Sequence, residues 1–366
     1  MRIKEFQIYT AKIPLNRPFV TSLGPEPYSE HLFVRVVLEN GLYGWGECAP
    51  SNTINGENLE TCIALAPKLT QALIGKEVSA HEHIEQSMNQ VIYGNFSIKS
   101  AIDLACYDAA AKLHNMPLYR YLGAHSIKAM QTDYTVSLSS PELMAKQAIE
   151  LKQQGFTIIK VKLGQSAAID IQRIKAIREA IGPEIKLKLD ANQGWTFEQA
   201  VMVLNELNEC TIEYCEEPIN RKLAHRLGAL QSAVPIPIMA DESVVDHYDA
   251  EHMATGQNIG LFNLKLGKSG GITPIKKIIE VAQNTGIRMQ VGGFIETKIV
   301  FTANCHLAQC SENIVFFDCD SPLFHQFMPT KGGMIYEDNW YIRLTEEPGL
   351  GIDLKDDFLA QCKRIQ

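Results

Sequence analysis

Ile158-Ile159-Lys160-Val161-Lys162-Leu163-Gly164 is an apolar run carrying lysines at i and i+2, with Gly155 and Gly164 on either side. Its composition predicts a strand covered on both faces, as in a parallel sheet flanked by helices. Side chains alternate along a strand, so Lys160 and Lys162 point the same way. Two ammonium groups on one side of a buried strand cost on the order of several kcal/mol unless anions face them. An edge strand with one solvated face would avoid that cost. The sequence further on favours the buried strand, because it supplies carboxylates at a regular beat.

Leu187-Lys188-Leu189-Asp190-Ala191-Asn192 is followed by Ile212-Glu213-Tyr214-Cys215-Glu216-Glu217-Pro218. Then come Ile236-Pro237-Ile238-Met239-Ala240-Asp241-Glu242-Ser243 and Leu261-Phe262-Asn263-Leu264-Lys265-Leu266-Gly267. Each is a short apolar strand candidate ending in charge. Asp190, Glu216, Asp241 and Lys265 follow one another at intervals of 26, 25 and 24 residues, the length of one strand-helix unit. Parallel strands whose C-terminal ends carry charge describe the active rim of a (β/α)8 barrel.

The 366 residues are too many for one small domain and suit a barrel with an accessory domain. A net charge of −8, with no run of Lys or Arg, argues against a nucleic-acid partner. Nine cysteines, an odd number without paired spacing, indicate reduced thiols and a cytoplasmic location. The N-terminal residues alternate like a strand, lacking a signal-peptide core, and no apolar run is long enough to span a bilayer. No membrane partner is expected.

Residues 1–124 read as an α+β capping domain. Strands are expected over residues 3–13, 31–38 and 42–48, with an Asn40-Gly41 turn before the third. Residues 21–28 and 49–57 read as loops. Helical periodicity follows over 59–74, 81–91 and 98–114, the last with an Ala101, Ala105, Ala109 stripe suited to close packing and Asp108 at its edge. Residues 125–321 alternate strand and helix, beginning with a strand at 131–138 and ending with strands at 287–294 and 314–320. Residues 322–366 have no partner in a finished barrel and are expected to return to the first sheet.

Asp190, Glu216 and Asp241 are hard oxygen donors from three neighbouring strands, joined by no His or Cys. Any one could merely cap a helix, but the three together suit Mg²⁺.

Lys160-Val161-Lys162, Asp190-Ala191-Asn192, Glu216-Glu217-Pro218, Asp241-Glu242-Ser243 and Lys265 together resemble the enolase superfamily, in its muconate-lactonizing-enzyme-like subgroup. The resemblance covers nearly the whole chain. It implies a modified TIM barrel, (β/α)7β, with the α+β cap formed by both ends of the chain. It also implies Mg²⁺ on the three carboxylates and Lys162 and Lys265 on opposite faces of the substrate. Removing a proton α to a carboxylate creates a dianionic enediolate, which a dication and Lys160 would neutralise. The base must be a neutral lysine, and crowding by Lys160 and the metal is expected to lower its pKa.

Asp318-Cys319-Asp320 closes the last expected strand, with both aspartates facing the barrel mouth. In this superfamily the pattern resembles the signature of dipeptide epimerases, where it binds the substrate's α-ammonium group. Thr135 and Glu296 are further candidates for substrate contact. Members acting on L-Ala-Glu resemble one another in an arginine in the first capping loop, where this chain has Leu23-Gly24. Leu23, Ile54 and Phe294 therefore point to an apolar second residue.

The expected activity is epimerisation of a dipeptide at its C-terminal residue, in a homo-oligomer. The rivals are N-acylamino-acid racemase, o-succinylbenzoate synthase and muconate cycloisomerase chemistry, whose substrates leave the Asp pair unexplained. An inactive metal- and peptide-binding barrel is the non-enzymatic alternative.

Overall fold

The computed structural model describes residues 1–366. The chain opens with an antiparallel sheet, β1 (Ile3–Thr21), β2 (Gly24–Leu38) and β3 (Tyr43–Cys48). Residues 21–28, expected as a loop, are instead the tip of the long β1–β2 hairpin. Thr21 pairs with Gly24 and Phe19 with Glu26, beyond an irregularity between Pro14 and Phe19. Gly24 permits the turn, at φ +125°, where a side chain would be strained.

Helices α1 (Leu59–Gln71), α2 (His81–Val91) and α3 (Phe96–Leu113) cover this sheet. The alanine stripe of α3 lies directly on β3. A Cβ at Gly44 would overlap the backbone of Ala105 and Ala109, and one at Gly46 that of Ala101. Asp108, at the edge of the stripe, accepts hydrogen bonds from Trp45 N at 2.8 Å and Leu350 N at 2.7 Å. The interruption of the apolar pattern thus ties the helix to β3 and to the C-terminal segment.

Eight parallel strands follow in sequential order: Tyr134–Val136, Ile158–Lys162, Lys186–Asp190, Ile212–Glu216, Ile238–Ala240, Leu261–Lys265, Arg288–Gly292 and Ile314–Phe317. The first and last are joined by a bond from Asp133 N to Phe317 O at 3.3 Å. One main helix fills each gap, Pro141–Gln153, Ala167–Ile181, Phe197–Glu206, Leu227–Ala233, His247–Glu251, Ile272–Thr285 and Lys298–Ala308, and a short helix, Leu266–Ser269, precedes the sixth. This is the (β/α)7β order. Gln131, expected to open the first barrel strand, belongs instead to a short strand, Met130–Gln131, that pairs with Tyr341–Arg343. The break falls at Thr132, whose N–H bonds Trp340 O and whose hydroxyl accepts from Cys319 N.

The register sets the site. Lys162 sits beside Asp190, and Asp190 beside Glu216, as direct neighbours across adjacent strands. Four ties hold the cap over the barrel mouth. Ser22 Oγ donates to Asn192 O at 3.1 Å, and Arg221 Nη1 to Ile54 O at 2.9 Å. Glu47 accepts from Thr297 N at 2.8 Å, and Asp103 from Ile272 N at 2.7 Å. The tail ends in Lys363–Arg364, which pairs with β1, while Asp353 accepts from Tyr43 Oη and Trp45 Nε1, both at 2.6 Å. All nine cysteines are thiols, and no helix is long and apolar enough to cross a membrane.

Candidate active site

The C-terminal ends of the barrel strands and the two capping loops enclose a cavity of about 420 Å³. Lys160, Lys162, Lys265, Asp318, Asp320, Thr135, Leu23, Gly24, Ile54 and Phe294 all line it. Glu296 does not. Its buried carboxyl turns away, against Gly267 and Gly293. Burial, with Glu47 nearby, pushes its pKa up to about 8. A neutral acid in the wall replaces the expected substrate contact.

Asp190, Glu216 and Asp241 are wholly buried at the floor. Lys162 Nζ lies 2.6 Å from Asp190 Oδ2, and Lys160 Nζ lies 3.3 Å from the same oxygen and 2.7 Å from Glu216 Oε2. Lys265 Nζ lies 2.5 Å from Asp241 Oδ2. Lys268 Nζ bonds Asp241 Oδ1 and Asn263 O, both at 2.7 Å. The carboxylates therefore meet four ammonium groups. Glu216 Oε2 has no hydrogen-bond donor of good geometry, despite its 2.7 Å approach to Lys160, so it keeps only an electrostatic partner.

Crowding splits the acidities. Burial opposes ionisation of Asp190 and Asp241, but Lys162 and Lys160 outweigh it at Asp190, as do Lys265 and Lys268 at Asp241, and both pKa values fall. Burial and the neighbouring Asp190 push Glu216 up to about 7. For Lys265 and Lys160 the neighbouring carboxylates decide the direction. Burial pulls Lys265 down, yet Asp241 and Glu216 more than offset it, and the net shift is upward. The same holds for Lys160, where Asp318, Glu216 and Asp190 outweigh burial.

A second acidic group stands opposite. One carboxylate oxygen each from Asp133, Asp318 and Asp320 lie within 4.8 Å of one another. This trio is the tighter geometric cluster, but its charge is partly satisfied by protein. Lys188 Nζ is 2.8 Å from Asp133 and Lys160 Nζ is 2.8 Å from Asp318, while Thr135 N donates to Asp320 Oδ2 at 2.6 Å. Lys160, with Lys162 and Lys265 also near, holds Asp318 down at about 2 in spite of burial. Burial and then Asp318 drive Asp320 well up. Three carboxyls face two ammonium groups here, so Asp318 and Asp320, which line the cavity, suit one further compact cation from the substrate side.

Backbone strain marks the same rim. Asn192, Gln193 and Glu217, just after the third and fourth barrel strands, hold φ values of +42°, +67° and +35°. Glu217 is turned from the cavity and accepts Asp241 N at 2.8 Å and Ser243 N at 3.1 Å, fixing the turn that presents Asp241. Lys268, Asp133 and Lys188 escaped the sequence reading. Lys268 could have been found from its position three residues after Lys265, on the short helix that follows the strand. The pairing of Asp133 with Lys188 has no local signal, because the two meet inside the barrel from positions far apart in sequence.

Residues 3–123 match the family described as mandelate racemase / muconate lactonizing enzyme, N-terminal domain, and residues 143–358 match the enolase C-terminal domain-like family. The chain is 41% identical to a D-Ala-D/L-Ala epimerase of Cytophaga hutchinsonii, covering 100% of this chain and 99% of that one. A crystal structure of dipeptide epimerase from the same organism, complexed with Mg and D-Ala-L-Val, superimposes with a TM-score of 0.98 over 100% of this chain and 99% of that chain. An L-Ala-D/L-Glu epimerase of Bacillus subtilis is 37% identical over 96% of this chain and 97% of its own length. A hydrophobic dipeptide epimerase of Enterococcus faecalis is 36% identical over 96% of this chain and 99% of its own length.

Proposed function

The chain belongs to the enolase superfamily, in the mandelate racemase / muconate lactonizing enzyme family, and from that premise we propose that it is a Mg²⁺-dependent dipeptide epimerase inverting the α-carbon of the C-terminal residue. One observation carries the reading. A single cavity is lined by Lys162 and Lys265 above the carboxylates and by Asp318 and Asp320 on its wall. Similar proteins named as dipeptide epimerases, and one solved with Mg and a dipeptide, support it.

Asp190, Glu216 and Asp241 fit a hard dication. They are three fully buried oxygen donors at the ends of consecutive barrel strands. Bound there, Mg²⁺ would supply positive charge against the negative charge that develops on the substrate carboxylate. Lys160 adds a fixed ammonium from the same floor. Asp318 and Asp320 hold the substrate's free α-ammonium, with Thr135 N steadying Asp320. The α-carbon of the second residue then stands between two lysines. Whichever lysine is neutral takes the α-proton, and the other returns one to the opposite face.

The second side chain extends toward Leu23, Ile54 and Phe294, and the nearest capping-loop charge is Glu26. Burial raises the Glu26 pKa, Lys162 opposing, so it offers no counter-ion to a carboxylate. An apolar second residue follows. The preferred oligomer is a homo-oligomer, and the working compartment the cytoplasm. The test is to incubate a dipeptide library, with alanine of either configuration first, with the enzyme and Mg²⁺ in D₂O. Mass spectrometry should find one deuteron gained by members with apolar second residues, and none after chelation. Exchange that is indifferent to chelator would overturn the metal role.

A further inference from the structure

A second cavity, of about 600 Å³, lies behind the active site. Phe19, Thr135 and Phe324 line both cavities and form the wall between them. The Phe19 and Phe324 rings are stacked, 5.2 Å apart and 25° from parallel. Tyr134 packs its edge on Phe324 at 5.4 Å, and Phe324 is buried. Behind the wall the lining mixes apolar Pro18, Val20, Leu138 and Leu151 with polar side chains such as Gln147 and Glu150. The outer end is marked by exposed Leu143 and by Arg17, whose guanidinium lies 3.9 Å from Glu150.

The wall adjoins the ammonium end of the site. Thr135, one of its three residues, donates its N–H to Asp320 Oδ2. Resting on the reading that Asp318 and Asp320 hold the substrate's ammonium, the carbon bearing that ammonium also bears the first side chain. That side chain stands within two bonds of the ammonium and faces the aromatic wall. We infer that the stacked Phe19–Phe324 pair limits the first residue to a small side chain, and that the cavity behind it is a latent subsite for a large apolar one. Removing one ring joins the two spaces. The Leu138 and Leu151 surfaces then meet the new side chain and desolvate it.

The experiment measures kcat/KM for L-Ala-L-Leu and L-Phe-L-Leu with the parent, Phe324→Ala, Phe324→Leu and the double variant Phe324→Ala/Leu143→Trp. The parent should favour alanine. Phe324→Ala should raise the Phe-to-Ala ratio about tenfold or more, and Phe324→Leu should raise it less, in the same direction. If Phe324→Ala does not fold, Phe324→Leu carries the reading. Leu143→Trp, placed at the exposed end, should refill the second cavity and return the ratio toward the parent's. A parent that accepts both first residues equally would overturn the inference. So would an unchanged ratio in both Phe324 variants, or a gain that survives Leu143→Trp. Absence of turnover on every dipeptide by the parent would instead overturn the epimerase reading.

Discussion

The Lys160 ammonium stands 2.8 Å from Asp318 Oδ2 and 2.7 Å from Glu216 Oε2, so one side chain joins the two acidic groups of the site. Asp318 is thus partner both to Lys160 and to the substrate ammonium. Asp318→Asn keeps the shape and removes the charge. A charge-assisted hydrogen bond contributes about 1.5–3 kcal/mol, so kcat/KM for L-Ala-L-Leu should fall about ten- to hundred-fold. N-acetyl-L-Ala-L-Leu, which has no ammonium, should be poor with the parent and lose little more. Equal losses on the two substrates would show that Asp318 serves Lys160 alone.

The capping loops set a second expectation. A carboxylate beside Leu23, Ile54 and Phe294 loses hydration with no cation to offset it, at a cost of roughly 1–3 kcal/mol. L-Ala-L-Leu should exceed L-Ala-L-Glu in kcat/KM about ten- to hundred-fold. Steady-state rates on both dipeptides check this, and a preference for glutamate would refute the loop argument.

Much of this was legible in the sequence because strands and barrels are periodic. The Lys160/Lys162 alternation and the charged strand ends located the floor, and strand register brought Lys162, Asp190 and Glu216 side by side. What the period does not encode was missed. Glu296 follows Phe294 in the same loop, yet it folds back against Gly267 and Gly293 and never reaches the cavity. The Lys188–Asp133 pair is buried in the barrel interior and joins residues far apart in sequence. The hairpin at 21–28 was concealed because proline and glycine signal a loop whether or not the flanking strands continue to pair.

Glu217 gives a test of the metal site that does not depend on turnover. Its Oε2 takes both backbone N–H groups of the turn that presents Asp241, and Glu217→Ala leaves both without that acceptor. Titration calorimetry with Mg²⁺ alone should show affinity weakened about ten- to hundred-fold. Unaltered affinity would mean that Asp241 is held without it.

Glu296 gives a pH dependence. It is protonated in the folded state up to about pH 8, whereas the unfolded side chain ionises near 4.5. Between those values the folded state binds more protons, so its stability contribution is fully present below 4.5 and is lost as pH rises toward 8. Glu296→Gln cannot ionise. Its stability relative to the parent should rise from pH 5 to pH 9 in urea unfolding, whatever its sign at pH 5. A relative stability that falls with pH would contradict a neutral Glu296.

The two-base assignment rests on Lys162 and Lys265, and single substitutions separate them. Lys162→Ala and Lys265→Ala should each abolish epimerisation of L-Ala-L-Leu in the presence of Mg²⁺. In D₂O each variant should still exchange the α-proton of one epimer, L-Ala-L-Leu or L-Ala-D-Leu, and the two variants should exchange opposite epimers, as read by NMR. Full epimerisation by Lys265→Ala, or exchange of the same epimer by both variants, would contradict the assignment.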